Sequence, residues 1–486
     1  MRRKSIKIVT GLAAVIVILG LLYVIALARS TARLQRAYAA LQRDGRPMRR
    51  ADVIPPIVPD SANAALLYRS AASLLKAQPI EPKALPEDGD IETIESAREK
   101  IALEKHKDLF GYLAYLSTSY VQGSIRPGRY AELKELMESD PVDGALLAIE
   151  QGTQRPTCRF DRDYESGSTM PDMLLELRQL ARLLAARVRL AAESGDADRA
   201  WHFAQMHVRL ADALRNDPFL VSQLSRTALA RSACETIRNV CVITPPDARQ
   251  CEDIAELLQT FEDTTPFVRA ADGERLLFAE PLFALPRQEL YEAVGRMTGG
   301  GFTPAIIHRL RFQMLAFKPR LLADHAVYLE LAKWSAELLE EPYAPSDSDA
   351  YREMDRLIAK QRGLTSMWAP FGRVKNIYCR MVADVRVTRA GLGLLQYKHL
   401  HHTFPDTLDS LDGEALIDPF IQEPLHYRRQ GEGFLLYSVE QDLKDNGGCQ
   451  RQRKQDTDYD LIWRFPGLDG GVGAEAGGNL TDSEDD

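Results

Sequence analysis

The chain lacks the short fingerprints that announce a reaction. Its 486 residues contain no C-x-x-C pair, no H-E-x-x-H, no G-x-S-x-G, no P-loop and no G-x-G-x-x-G. Those absences exclude thioredoxin-like and zinc-ribbon sites, zincin chemistry, the serine nucleophile elbow and the common phosphate cradles. Long apolar runs are almost as scarce: after Arg29 no stretch approaches the ~18 residues that a membrane helix needs, so a channel or multi-span transporter is excluded. Acidic residues are missing from the first 43 positions. As a result residues 1–50 carry a formal charge of +10 and the remainder −18, within a net −8. Nucleic acid is excluded as a partner of so acidic a body, because such affinity rests on Lys and Arg neutralising phosphates. With 31 glycines and 26 prolines, usage is ordinary, which rules out collagen and wholesale disorder.

What is present begins with one membrane-length helix. Ile8 to Ala28 holds no charge, and at ~1.5 Å per residue it matches a hydrocarbon core of about 30 Å. Arg2, Arg3, Lys4 and Lys7 precede it, as expected when a short tail stays in the cytoplasm and the long remainder is carried across. A cleavable signal peptide is the alternative, with Ala26-Leu27-Ala28 as its small-residue site, but signal h-regions span only ~7 to 15 residues. The expected location is the cell membrane, single-pass, with the body extracytoplasmic (periplasmic) and the bilayer contacted through residues 8–28. Residues 1–44 thus read as tail, transmembrane helix and helical extension. Residues 45–60, with Pro47, Pro55, Pro56 and Pro59, read as an extended linker that separates body from membrane.

Residues 61–370 read as an α-helical bundle. Asp60 or Ser61 is placed to cap a helix reaching about Ala77. The clearest signal runs from Leu174 to Ser194, where Leu174, Leu177, Ala181, Leu184, Val188 and Ala191 recur at helical spacing. Ser194-Gly195-Asp196 ends that helix and caps the next, Ala197–Leu214, so the two form an antiparallel hairpin resembling one tetratricopeptide-type unit. No second copy follows at the period such arrays keep, which leaves a repeat-like bundle. Further helices are expected at Phe219–Val242, Asp247–Phe261, Gln288–Met297 and Arg320–Leu339. Six cysteines, at 158, 234, 241, 251, 379 and 449, are readable either as disulfides of an exported body or as small buried hydrophobes.

The pattern changes near residue 400. Asn376–Leu400 is helical, with Ile377, Met381, Val385, Leu392 and Leu395 on one face. Leu425–Arg429, Phe434–Val439 and Leu461–Phe465 then read as strands. Residues 371–466 are accordingly a small α+β module, a helix packed on an antiparallel sheet. Residues 467–486 read as a disordered acidic tail. The fold class is mainly α: a single N-terminal transmembrane helix, a helical repeat-like bundle and this module.

The module's ordered landmarks are Gln396-Tyr397-Lys398, His402-Thr403-Phe404-Pro405-Asp406, Asp418-Pro419-Phe420, Gly433-Phe434-Leu435-Leu436-Tyr437-Ser438, Gly447-Gly448 and Asp458-Tyr459-Asp460. Over about residues 385–465 they resemble the globular domain of the major pseudopilin of type II secretion. That resemblance implies a helix on a small antiparallel sheet and a calcium ion in the acidic loop. The whole chain, with Gly273-Glu274-Arg275 in its helical region, is also similar to membrane-anchored helical proteins of planctomycete-type bacteria. It departs from a pseudopilin in having no acidic residue in the apolar run and a long helical region between anchor and module. Gly301-Phe302-Thr303 imitates the prepilin cleavage signal without a membrane-length run after it.

The loop between the last two strands gathers hard oxygen, enough for the ~6 to 8 ligands of calcium. The resemblance implies Asp442 and Asp460 as ligands; Asp445 and Asp458 join them on chemistry. The expected metal set is therefore Asp442, Asp445, Asp458 and Asp460, with Ca²⁺ in a structural role. Its bland alternative is a solvated acidic turn. His399, His401 and His402 form the one dense histidine group; zinc binding is weighed there against buried or loop-lining imidazoles. With no catalytic fingerprint, the expected function is a membrane-anchored extracytoplasmic scaffold or interaction protein with a protein partner in the envelope. The alternatives are an accessory part of a type II secretion or pilus-like machine and a metal-dependent envelope hydrolase.

Overall fold

Apolar stripes at helical spacing dictate most of the architecture, and the computed structural model places nearly every one of them in a core. It describes residues 2–80, 107–164, 172–297, 317–345, 348–360, 363–367, 372–411, 413–450 and 459–467. The glycine run Gly299–Gly301, the Gly301-Phe302-Thr303 tripeptide, Asp458 and the tail beyond Gly467 lie outside the described residues.

The chain opens with α1 (Arg2–Arg43), the one described helix long and apolar enough to span a membrane. Its large side chains from Leu12 to Ile25 are exposed, whereas Ala37 and Leu41 near its end are buried. Next come α2 (Ala64–Lys76), α3 (Leu109–Val121), α4 (Pro127–Met137), α5 (Asp140–Thr153), α6 (Asp172–Glu193) and α7 (Ala197–Ala211). They are followed by α8 (Leu220–Ile243), α9 (Ala248–Gln259), α10 (Thr265–Gly273), a π-helical turn (Glu274–Ala279), α11 (Glu280–Ala284) and α12 (Arg287–Met297). Helices α13 (Lys318–Glu340), α14 (Asp349–Lys360) and α15 (Gly372–His401) lead to β1 (His426–Gln430), β2 (Gly433–Ser438) and β3 (Leu461–Phe465).

The stripe of α6 is buried along its whole length, and the expected hairpin with α7 forms. Local chemistry moves some ends. Asn63, not Asp60 or Ser61, caps α2, its Oδ1 accepting from Ala65 N at 3.2 Å, because Asp60–Ala62 is spent on a separate 3₁₀ turn. The helix expected to reach Leu214 ends at Ala211 and tightens into a 3₁₀ turn. Ile377 stays exposed on α15.

The sheet is antiparallel in the order β1-β2-β3, with Tyr427 opposite Leu436 and Phe434 opposite Phe465. α15 packs against β2 and β3 on one side and against α8 and α9 on the other. Gly391 makes that approach possible: a Cβ there would stand 1.9 Å from the ring of the fully buried Trp463. Because α15 is shared, one contiguous apolar core runs from α2 through to β3. Buried charges bind the same seam. Arg231 and Arg238 of α8 reach Asp384 of α15 at 2.5 and 3.3 Å, and Arg380 meets the buried Glu440 at 2.7 Å. The sheet is thus built into the helical body rather than appended to it.

A second, smaller core joins the end of α1 to α13 and the helices before it. Ala37 and Leu41 pack with Ala326, Leu329 and Phe283. The segment after α1, expected to be an extended linker, includes a 3₁₀ turn at Arg50–Asp52 and packs on the body. Val53 is buried with Tyr164, Phe219, Leu276 and Leu277, and its flanking residues are pinned by the charged turn described next.

Candidate functional site

The π-helical turn after α10 is where α1, the segment after it and the bundle converge. Two sequence features create it. Gly273 lies so close to Pro218 that a Cβ would stand 1.8 Å from the Pro218 carbonyl oxygen, so only glycine fits. Glu274 then turns inward and accepts from Leu220 N at 3.0 Å, satisfying a first-turn donor of α8. A widened turn of this kind inserts a residue into the helix ladder and re-aims the side chains beyond it.

Arg275 is the hub, with 1% of its surface exposed. Nη1 donates to Glu280 Oε1 at 2.6 Å, Nη2 donates to Asp272 Oδ1 at 3.1 Å, and Nη2 also donates to the Pro47 carbonyl. Around it, Tyr38 Oη of α1 donates to Glu280 Oε2 at 2.9 Å. Arg46 pairs with Glu340 at 3.1 Å and with Asp272 at 3.8 Å, and Arg50 Nε donates to the Leu276 carbonyl at 3.3 Å. Each acid therefore has a guanidinium partner, a backbone donor or a phenol. Burial raises the carboxyls of Asp272 and Glu274, opposed for Asp272 by Arg275 and for Glu274 by the Leu220 N–H. His325 stacks flat on Phe283, centroids 4.3 Å apart, with Nε2 3.4 Å from Tyr38 Oη. Burial pushes its imidazole down to about 4, so it is neutral at pH 7. Chemically the cluster is a set of matched charges around a buried guanidinium, with Glu340 at its exposed rim. It fixes segments in place.

The predicted C-terminal loop has a different logic. Asp460 accepts from three backbone amides, Asn446 N at 3.3 Å, Gly448 N at 2.8 Å and Cys449 N at 3.2 Å. Asp445 Oδ1 accepts from Tyr437 Oη at 2.9 Å and Gly447 N at 2.8 Å, and Oδ2 lies 3.5 Å from His426 Nδ1. Asp442 accepts from Lys444 N at 3.2 Å and Asn446 Nδ2 at 3.0 Å. Asn446 therefore links Asp442 to Asp460. Burial raises the Asp460 carboxyl and nearby Asp445 adds to that, while the Gly447 amide holds Asp445 down. Leu443 takes a left-handed φ of 57°. Asp458, the fourth expected ligand, lies outside the described residues. Among the described residues no group of three His, Cys, Asp or Glu is placed to hold a metal ion.

The histidines diverge. His399 Nε2 lies 2.7 Å from the Pro246 carbonyl, His401 rests on the Tyr397 ring at 4.1 Å, and His402 ends α15 with a φ of 61°. A groove of about 390 Å³ between α9, α15 and the segment holding Leu411 and Leu416 is lined by Arg389, Gln396, Tyr397 and His401 among others. Arg389 is committed to Glu262.

Sequence reasoning noted Gly273-Glu274-Arg275 only as part of a resemblance and missed its partners. The available signal was the charged run Asp272-Gly273-Glu274-Arg275 between apolar residues of a helical stretch, followed by Glu280-Pro281. Comparison with protein-family models, with curated proteins and with solved structures finds no match.

Proposed function

We propose that this chain is a single-pass membrane protein whose helical body stands on the extracytoplasmic side as a scaffold for a protein partner in the envelope. The observation that supports it is the continuity of α1, which runs without a break from an exposed apolar stretch into packing contacts with the body. An interior helix of a soluble protein would bury that stretch. The cationic tail of residues 2–7 favours retention on the cytoplasmic side. The test has two steps. Alkaline extraction should leave the full chain in the membrane, and protease added to intact spheroplasts should digest the body while the tail stays protected. Crosslinking in native membranes should then recover a reproducible partner. Release of the intact chain by alkali, or a protected body, overturns the reading.

Calcium belongs to the same proposal. Asp442, Asp445 and Asp460 gather around Asn446 and keep lone pairs beyond the protein donors they accept, which supports a hard cation joining them together with Asp458. If Ca²⁺ binds, millimolar Ca²⁺ raises the melting temperature of the full chain and Mg²⁺ does so less. An unchanged melting temperature removes it.

A further inference from the structure

The pairing of α1 with α13 fixes how close the body comes to the bilayer. The two helices run parallel. Tyr23 meets Phe317 with ring centroids 5.5 Å apart, Arg33 forms a two-pronged bond to Glu330 at 3.0 and 2.7 Å, and Arg46 pairs with Glu340. Among the described residues contact thus reaches down to Tyr23, inside the uncharged run. From Tyr23 to Ala28 is about 7.5 Å along a helix. The first residues of α13 are therefore held at or below the level where the apolar run ends.

Their chemistry suits that depth. Phe317 is 48% exposed and Tyr23 38% exposed, an aromatic pair presented outward where aromatic belts form. Lys318 is exposed and Arg320 half-exposed, and on α1 Arg29, just past the apolar run, and Arg36, about two turns further on, are exposed as well. No acid occurs in residues 1–43 or 317–323. Glu330, the first exposed acid along α13, is already paired with Arg33. This collar is cationic on a body that is otherwise acidic, the arrangement expected where long basic side chains extend from apolar depth to anionic headgroups.

We infer that the start of α13, Phe317 to Arg320, together with Tyr23, Arg29 and Arg36 of α1, is a second membrane contact that docks on the anionic headgroup layer beside the transmembrane helix. The inference rests on the membrane reading above and goes beyond it: a tethered body would need no such contact. It restricts the body to one face toward the lipid.

Full-length protein is reconstituted into phosphatidylcholine vesicles with and without phosphatidylglycerol. Spin labels are introduced one at a time as Phe317→Cys, Val17→Cys and Leu400→Cys, each in a Cys449→Ser chain. Oxygen accessibility relative to a water-soluble nickel reagent should be several-fold higher at 317 than at 400 and should approach that at 17. A water-like value at 317 with a bilayer value at 17 overturns the docking and leaves the anchor standing. Water-like values at both sites overturn the anchor and the docking together. Phosphatidylglycerol should deepen the signal at 317, and Lys318→Glu with Arg320→Glu should abolish that increment. An increment that survives the double charge reversal overturns the headgroup contact.

Discussion

The turn at residues 272–280 and the loop at residues 440–460 are both rich in carboxylates, yet they spend them in opposite ways. In the turn, Asp272 and Glu280 face Arg275 and bring together segments from residue 38 to residue 340. In the loop, Asp442, Asp445 and Asp460 accept donors from the loop itself, and Asp445 also from Tyr437 of β2, and so shape a single connection. The first arrangement is a long-range tie, the second a local brace. The difference teaches that acidity alone says little until the partner of each carboxylate is known, because a buried charge is tolerated only where it is matched.

Replacing the hub tests the tie most severely. Arg275→Leu leaves Asp272 and Glu280 buried without their guanidinium, a loss of about 3–5 kcal/mol in stability. Trypsin cleavage at Arg49 and Arg50 should accelerate as well, since Pro47 is released; chemical denaturation and timed proteolysis check both. Unchanged cleavage would mean that the turn does not hold the tether. Gly273→Ala places a methyl against the Pro218 carbonyl and should cost about 3 kcal/mol, read as a lower denaturation midpoint.

Acidification discriminates the two regions next. His325 in the tie and the fully buried His207 of α7 both sit at about 4 in the folded protein, below the ordinary 6.5. The unfolded chain therefore binds more protons between those values, so stability is full above about pH 6.5 and falls as the pH drops toward 4. At pH 5 each histidine should cost roughly 2 kcal/mol. His325→Phe should remove its share of that slope, which a pH series of melting curves would detect. A smaller loss, about 1–2 kcal/mol, is expected for Asp460→Asn, which presents an N–H to amides that need an acceptor. That variant should also abolish any calcium-induced rise in melting temperature while leaving tryptic cleavage at Arg49 unchanged.

The cysteines give the mildest test. Burial raises the thiols of Cys234 and Cys251 to about 12 and that of Cys379 to about 11, whereas Cys449 is exposed. Maleimide on the native chain should modify Cys449 rapidly and these three only after unfolding, as mass spectrometry would show.

Legibility in the sequence followed the range of the interactions. The stripe Leu174, Leu177, Ala181, Leu184 and Val188 announced its helix because its information lies within one short, continuous stretch. The three strands were found nearly to their ends for the same reason. The tie was invisible because its members, Tyr38, Pro47, Leu220, Arg275 and Glu340, are scattered from the first helix to the thirteenth, and proline-rich sequence after α1 looked like a spacer when viewed alone. The 371 boundary likewise assigns the helix before the strands to the module alone, although the core passes through α15 without interruption. Asp442 and Asp460 were expected as ligands from the resemblance and Asp445 from its oxygens, and the donors that they accept could not be read from residue types.

The unbroken α1 has a mechanical consequence. A helix of 42 residues is about 63 Å long, and its second half, from Tyr23 on, is clasped along α13, so the body has no swivel. Force applied sideways to the body therefore becomes torque along the whole of α1, and its exposed apolar half swings with the body as one lever.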